Sequence, residues 1–274
     1  MKIKNKKMPR VSKTKPEKNS FNVAKNKRMP SASKTKGDDN MSFIRFENVT
    51  KEYVSGDSII KALDGADFEI EKGKFTVILG PSGSGKSTTL NLLGGMDFCT
   101  RGRIFVGDDE ITKFNEARLT EYRRNKIGFV FQFYNLIPNL TAFENVDIAL
   151  KLTSSDITAT EALEAVGLSH RMGNFPSQLS GGELQRVSIA RAICKNPQIM
   201  LCDEPTGALD SETGKKILTL LQSMAKTYDT AVIVVTHNAG IVPAADKVVR
   251  LRDGRIEGVE TNDFPLMMEE VAPT

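Results

Sequence analysis

The chain has 274 residues, 39% apolar and 26% charged, with a formal net charge of +4. This is enough apolar material for one large domain or two small ones, and no apolar run approaches the ~20 residues of a membrane-spanning helix. No N-terminal apolar segment resembles a signal peptide, so the three cysteines, Cys99, Cys194 and Cys202, are read as reduced thiols of a cytosolic protein. Neither they nor the two histidines, His170 and His237, have metal-cluster spacing.

Charge divides the chain. Residues 1–40 hold 13 Lys/Arg against 3 Asp/Glu, which leaves 41–274 with a net charge of −6. The first segment is rich in Lys, Asn, Ser and Pro and cannot offset its ordering entropy by burial, so a disordered basic leader is predicted. Within it Lys4-Asn5-Lys6-Lys7-Met8-Pro9 returns as Lys25-Asn26-Lys27-Arg28-Met29-Pro30. A weak contact with an anionic membrane surface or nucleic acid is one reading. A solvated leader, or a true start at Met41, is the preferred one.

Residues 42–70 read as strands, with Ile44 and Phe46, then Phe68 and Ile70, alternating with polar neighbours. Phe75 to Leu79 is a short buried strand, Gly102 to Gly107 another, and Ile127 to Phe131 a third that ends at Gln132. Asn115 to Arg124 is helical in propensity. Helical signals dominate about 133–195, where Thr160 is expected to cap a helix carrying Leu163 and Val166, and Ser180-Gly181-Gly182 to open another. Strands return at 198–202 and 231–235, with a helix between them capped by Asp210 and Ser211. Lys247 to Leu251 and Arg255-Ile256 form a predicted hairpin about Asp253-Gly254. This alternation implies an α/β fold with a mostly parallel core, an antiparallel β portion before it and an inserted helical block.

The chemistry centres on Gly80-Pro81-Ser82-Gly83-Ser84-Gly85-Lys86-Ser87-Thr88, which fits G-x-x-x-x-G-K-[ST] between a strand and a helix. Its glycines let backbone N–H groups turn onto a polyphosphate, and the helix N-terminus adds a positive dipole end. Lys86 is expected to reach the β- and γ-phosphates and Ser87 to offer its hydroxyl to Mg²⁺. Asp203, at the end of a buried strand, suits the same Mg²⁺, and the adjacent Glu204 suits the general base that polarises water. Gln132 and His237 each end an apolar strand. Gln132 is placed to touch Mg²⁺ or water, and His237 to donate to the γ-phosphate; each is equally readable as a polar strand terminus. Tyr53 is readable as an adenine-stacking ring or as packing. Ser180-Gly181-Gly182-Glu183 is a second anion-binding helix start, which suggests a partner's nucleotide or, more plainly, a turn.

In order along the chain, Gly80–Thr88, Gln132, Leu179–Glu183, Ile199–Glu204, Gly207–Asp210 and His237 resemble the Walker A, Q-loop, signature, Walker B, D-loop and H-loop of ATP-binding cassette (ABC) ATPases. Tyr53 matches that family's adenine-stacking aromatic. Arg123 to Gln132, Glu204 to Ser211 and Leu251 to Ile256 further resemble its macrolide-export and lipoprotein-release branch. Three departures stand out: Glu183 where Gln is commoner, a short Leu150–Thr160 segment, and a basic leader with no family counterpart.

The resemblance implies a P-loop NTPase with a RecA-like core, an ABC ATPase domain over 41–258, a helical subdomain at about 133–195 and a C-terminal tail at 259–274. It implies a homodimer with two ATP molecules sandwiched head to tail. Lys86, Ser87, Asp203 and Gln132 of one chain, with Mg²⁺, face Ser180 to Glu183 of the other, and Asp210 links the two sites. It also implies a separate integral-membrane permease and a place at the cytoplasmic face of the cell membrane. An alternative is an ABC-type ATPase that uses the leader on nucleic acid. Only 47 residues separate Gln132 from Ser180, too few for the long coiled coil of chromosome-structural ATPases.

Overall fold

A computed structural model describes residues 42–56 and 58–271; the leader predicted at 1–40 and its repeat lie outside the described residues. The strands are β1 (Ile44–Ser55), β2 (Ser58–Ile70), β3 (Phe75–Leu79), β4 (Arg101–Val106), β5 (Asp109–Glu110), β6 (Ile127–Val130), β7 (Ile199–Asp203), β8 (Ala231–Thr236), β9 (Lys247–Arg252) and β10 (Arg255–Thr261). The α-helices are α1 (Lys86–Leu93), α2 (Glu116–Asn125), α3 (Ala142–Leu150), α4 (Ala159–Ala165), α5 (Gly181–Ile193) and α6 (Ser211–Tyr228).

Two sheets result. One is antiparallel, in the order β2-β1-β4-β5, with Ile44 of β1 opposite Ile70 of β2 and Val106 of β4. The other runs β10-β9-β3-β8-β7-β6 and is parallel except at the β9–β10 hairpin. Its central strands are apolar without alternation because both faces are covered. Phe75, Val77, Met200, Cys202, Val232 and Val234 point to one side, into a core shared with α5, α6 and the helical block. Ile78, Ile199, Leu201, Ile233 and Val235 point to the other, against α1, α2 and the antiparallel sheet.

The inserted block comprises α3, α4 and α5, joined through buried Val146, Leu163, Val166 and Val187. Each of the three begins with a reciprocal capping box, Thr141 with Glu144, Thr158 with Glu161 and Ser180 with Glu183. The cap of α4 is therefore Thr158 and not Thr160. Glu161, three residues beyond Thr158, closes the box on its backbone N–H and hydroxyl, and Thr160 falls inside the helix. At the other end of the chain, β10 continues past residue 258 to Thr261. The chain then folds back on α6, burying Met268 and Val271 in the main core. The buried Gln222 of α6 fixes this return, donating to Ala244 and Leu266 oxygens and accepting from the Met268 N–H at 2.8 Å.

Candidate active site

Four neighbouring parallel strands deliver the site. β3 runs into Gly80, β8 into His237, β7 into Glu204 and β6, by way of Phe131, into Gln132. Carboxyl ends of parallel strands are where an open α/β sheet leaves a crevice for a ligand.

The loop after β3 is held from outside itself. Ser84 O accepts from the Gly254 N–H at 3.0 Å, and Gly254 O accepts from the Asp64 N–H at 2.8 Å, so the β9–β10 turn and β2 brace it. Gly85 caps α1 with φ 103°, and a Cβ there would stand 2.3 Å from the Ala62 carbonyl oxygen. Only glycine satisfies both the left-handed backbone and that approach. Lys86 is 7% exposed, and its Nζ donates to Gly80 and Pro81 oxygens at 2.8 Å each. The ammonium is thereby held over the loop whose N–H groups suit phosphate oxygens.

Ser87 Oγ donates to Asp203 Oδ1 at 3.3 Å. Burial pushes the Asp203 carboxyl above its ordinary range, opposed by the Ser87 hydroxyl. Glu204 follows with φ 44°, an uncommon left-handed setting for a side chain of that size, which concentrates strain at a site residue. Its carboxylate is aimed by two groups from the end of β8: Thr236 Oγ1 donates to Oε2 at 3.1 Å, and His237 Nδ1 lies 2.9 Å from Oε1. Thr236 carries no sequence signal beyond its place beside the strand-end histidine.

Tyr53 of β1 is 39% exposed, with its hydroxyl donating to Asp97 Oδ2 at 2.8 Å and Lys51 Nζ 4.7 Å from its ring centroid. Lys51 also bonds Asp97 at 2.6 Å, so the ring is clamped edge and face. Neither Lys51 nor Asp97 is conspicuous in the sequence.

Gln132 is not hydrogen-bonded to Ser87 or Asp203. It packs instead on Gly207, where a Cβ would come within 2.8 Å of its Nε2. Ser180 caps α5 and accepts from the Glu183 N–H, while the Glu183 carboxylate accepts from the Ser180 N–H at 2.8 Å and hydroxyl at 3.0 Å. Those bonds draw the Glu183 carboxyl below its ordinary range, and Arg171 Nε, 3.0 Å away, adds to the effect. Gly181 and Gly182 lie against the start of α6, where a Cβ on Gly182 would meet Thr213 Cγ2 at 2.3 Å. Asp210 caps α6, accepting from the Thr213 N–H at 3.0 Å. One chain thus gathers the phosphate loop, Asp203, Glu204 and His237 in one cluster, and the Ser180–Gly182 helix start with Leu209, Asp210 and Thr213 in another.

The protein-family profile described as ABC transporter matches residues 63–207. The chain belongs to the ABC transporter family. An uncharacterized ABC transporter ATP-binding protein of Thermotoga maritima is 45% identical over 218 residues, covering 78% of this chain and 93% of the relative. The macrolide export ATP-binding/permease protein MacB of Brucella melitensis is 43% identical over 218 residues, 78% of this chain but 34% of that longer protein. Among solved structures, the dimeric post-hydrolysis state of the cassette MJ0796 bound to ADP and Pi superposes with a TM-score of 0.74 at 41% identity, covering 81% of this chain and all of that one. The cassette is thus an ABC-type ATPase with the P-loop α/β architecture of its relatives. Among its described residues no helix is long and apolar enough to cross a membrane.

Proposed function

We propose that this cassette binds and hydrolyses ATP as a head-to-tail homodimer that drives a separate membrane permease of the export type, working at the cytoplasmic face of the membrane. The observation that carries the proposal is the division of the chain's two anion-binding helix starts. The Gly80–Thr88 loop meets Asp203 through the Ser87–Asp203 bond, whereas the side-chain partner of Ser180 is Glu183 of its own helix. A second chain then supplies its Ser180–Gly182 edge to the γ-phosphate held by the first.

In that assembly Tyr53 stacks on the adenine, Lys86 carries the β- and γ-phosphate charge and Glu204 takes a proton from the attacking water. His237 orients Glu204 and the γ-phosphate. The oxygens of Ser87 and Asp203, 3.3 Å apart, are hard donors that fit Mg²⁺, and Gln132 would add its amide oxygen as a third. When bound, Mg²⁺ neutralises charge on the β- and γ-oxygens. ATP favours closure because it touches both chains only in the closed state. Asp210, at the start of α6, ties one site to the other. The likeness to a macrolide export ATP-binding/permease protein supports the export reading and a permease partner.

Glu204→Gln keeps the side-chain shape and removes the base. Chromatographic sizing in ATP and Mg²⁺ is expected to give a stable dimer with slow turnover. A Glu204→Gln protein that stays monomeric at saturating ATP overturns the sandwich.

A further inference from the structure

Arg191 lies three turns along α5 from Ser180. Its guanidinium donates to two consecutive backbone carbonyls just after Gln132: Nη2 to Tyr134 O at 2.8 Å and Nη1 to Asn135 O. Burial weakens its hold on its proton, yet no carboxylate pairs with it among the described residues. A half-buried cation with two carbonyls as its partners is matched to one backbone shape, because the planar fork fixes the spacing of the oxygens it can serve.

That shape is unusual. Tyr134 and Asn135 both have left-handed backbones, φ 60° and 49°, and for tyrosine this is an outlier. Two successive residues of that hand turn their carbonyls toward α5. The ring of Tyr134 returns to the opposite end of the same helix, its hydroxyl 3.1 Å from the position of a Cβ on Gly181. The segment after Gln132 therefore touches α5 at both ends, at Arg191 by backbone and at Gly181 by side chain.

We infer that Arg191 is a positioning residue that locks the segment after Gln132 to α5, so that Gln132 and the Ser180–Gly182 edge move as one piece when ATP joins two chains. The inference rests on the ATP sandwich proposed above. Through this lock, a change sensed at Gln132 in one site reaches the anion-binding edge offered to the other.

Two measurements test it. In the nucleotide-free monomer, Arg191→Ala is expected to speed amide hydrogen exchange at 133–136 and at 181–184 together. Loosening at 133–136 alone, or at neither, overturns the lock whether or not the sandwich forms. In the Glu204→Gln background, Arg191→Ala is expected to raise the ATP concentration for half-dimerisation about tenfold, ~1.4 kcal/mol, with ADP affinity of the monomer changed less than twofold. Arg191→Lys keeps the charge without the fork, is expected to fall between, and stands in should the alanine variant fail to fold. Dimerisation at the parent's ATP concentration, or an equal loss of ADP affinity, overturns the inference. A Glu204→Gln parent that never dimerises overturns the sandwich instead, and leaves the exchange measurement to judge Arg191.

Discussion

At the scale of single residues, charge placement decides the chemistry. Lys86 is the sole basic side chain in the phosphate loop, already poised by two loop carbonyls. Lys86→Ala is expected to cut ATP turnover about 100-fold or more, the loss typical of one preorganised charge-stabilising donor, in a steady-state phosphate-release assay. Wild-type turnover would remove the loop from the mechanism. Glu183 explains a departure from the commoner Gln: a carboxylate closes the cap of α5 and also pairs with Arg171. Its folded-state pKa lies below its ordinary value of 4.5. Its contribution is therefore complete above that pH and is lost as pH falls through the lower folded value. Glu183→Gln keeps the cap and loses the ion pair, at a cost of about 0.5 kcal/mol near neutral pH. Urea midpoints of the variant should fall less steeply than those of the parent as pH drops from 5 toward 3.

Among the elements, the helical block depends on its caps. α4 is seven residues long, too short to persist on propensity alone, and it starts at a reciprocal Thr158–Glu161 box. Thr158→Ala is expected to destabilise the fold by about 1 kcal/mol. Calorimetry should register this as a lower Tm with turnover unchanged at low temperature, since Thr158 touches none of the site residues. A fall in turnover without a fall in Tm would contradict that separation. The sequence named this helix but displaced its cap by two residues. Both Thr158 and Thr160 satisfy the cap preference, and only the position of the reciprocal glutamate separates them.

Across the whole molecule, the C-terminal segment behaves as core rather than as an appendage. Met268 is 4% exposed, and its N–H is bonded to the buried Gln222 amide. Met268→Ala is expected to lower unfolding stability by about 2–5 kcal/mol, read from the urea midpoint at constant slope. A loss under 0.5 kcal/mol would mean that the segment adds little to the fold. Sequence gave no warning of this, because Asn262 to Met267 is short, mixed in polarity and without a period. Its burial comes from what α6 and residues 243–246 offer it.

Local pattern alone settled much of this protein. The unbroken apolar runs of β3, β7 and β8 announced a sheet buried on both faces, and the glycine-rich loop between β3 and α1 announced its phosphate chemistry. These signals are readable because they repeat within a few residues, at the spacing of one strand or one turn. What tertiary structure alone decided is which distant side chains meet: Thr236 and His237 on Glu204, Asp97 on Tyr53, Arg191 on the carbonyls after Gln132. Each such pair lies 32 or more positions apart. Nothing in a chain's local periodicity encodes a contact that forms only when two separate strands, or a helix and a loop, are brought together by a shared core.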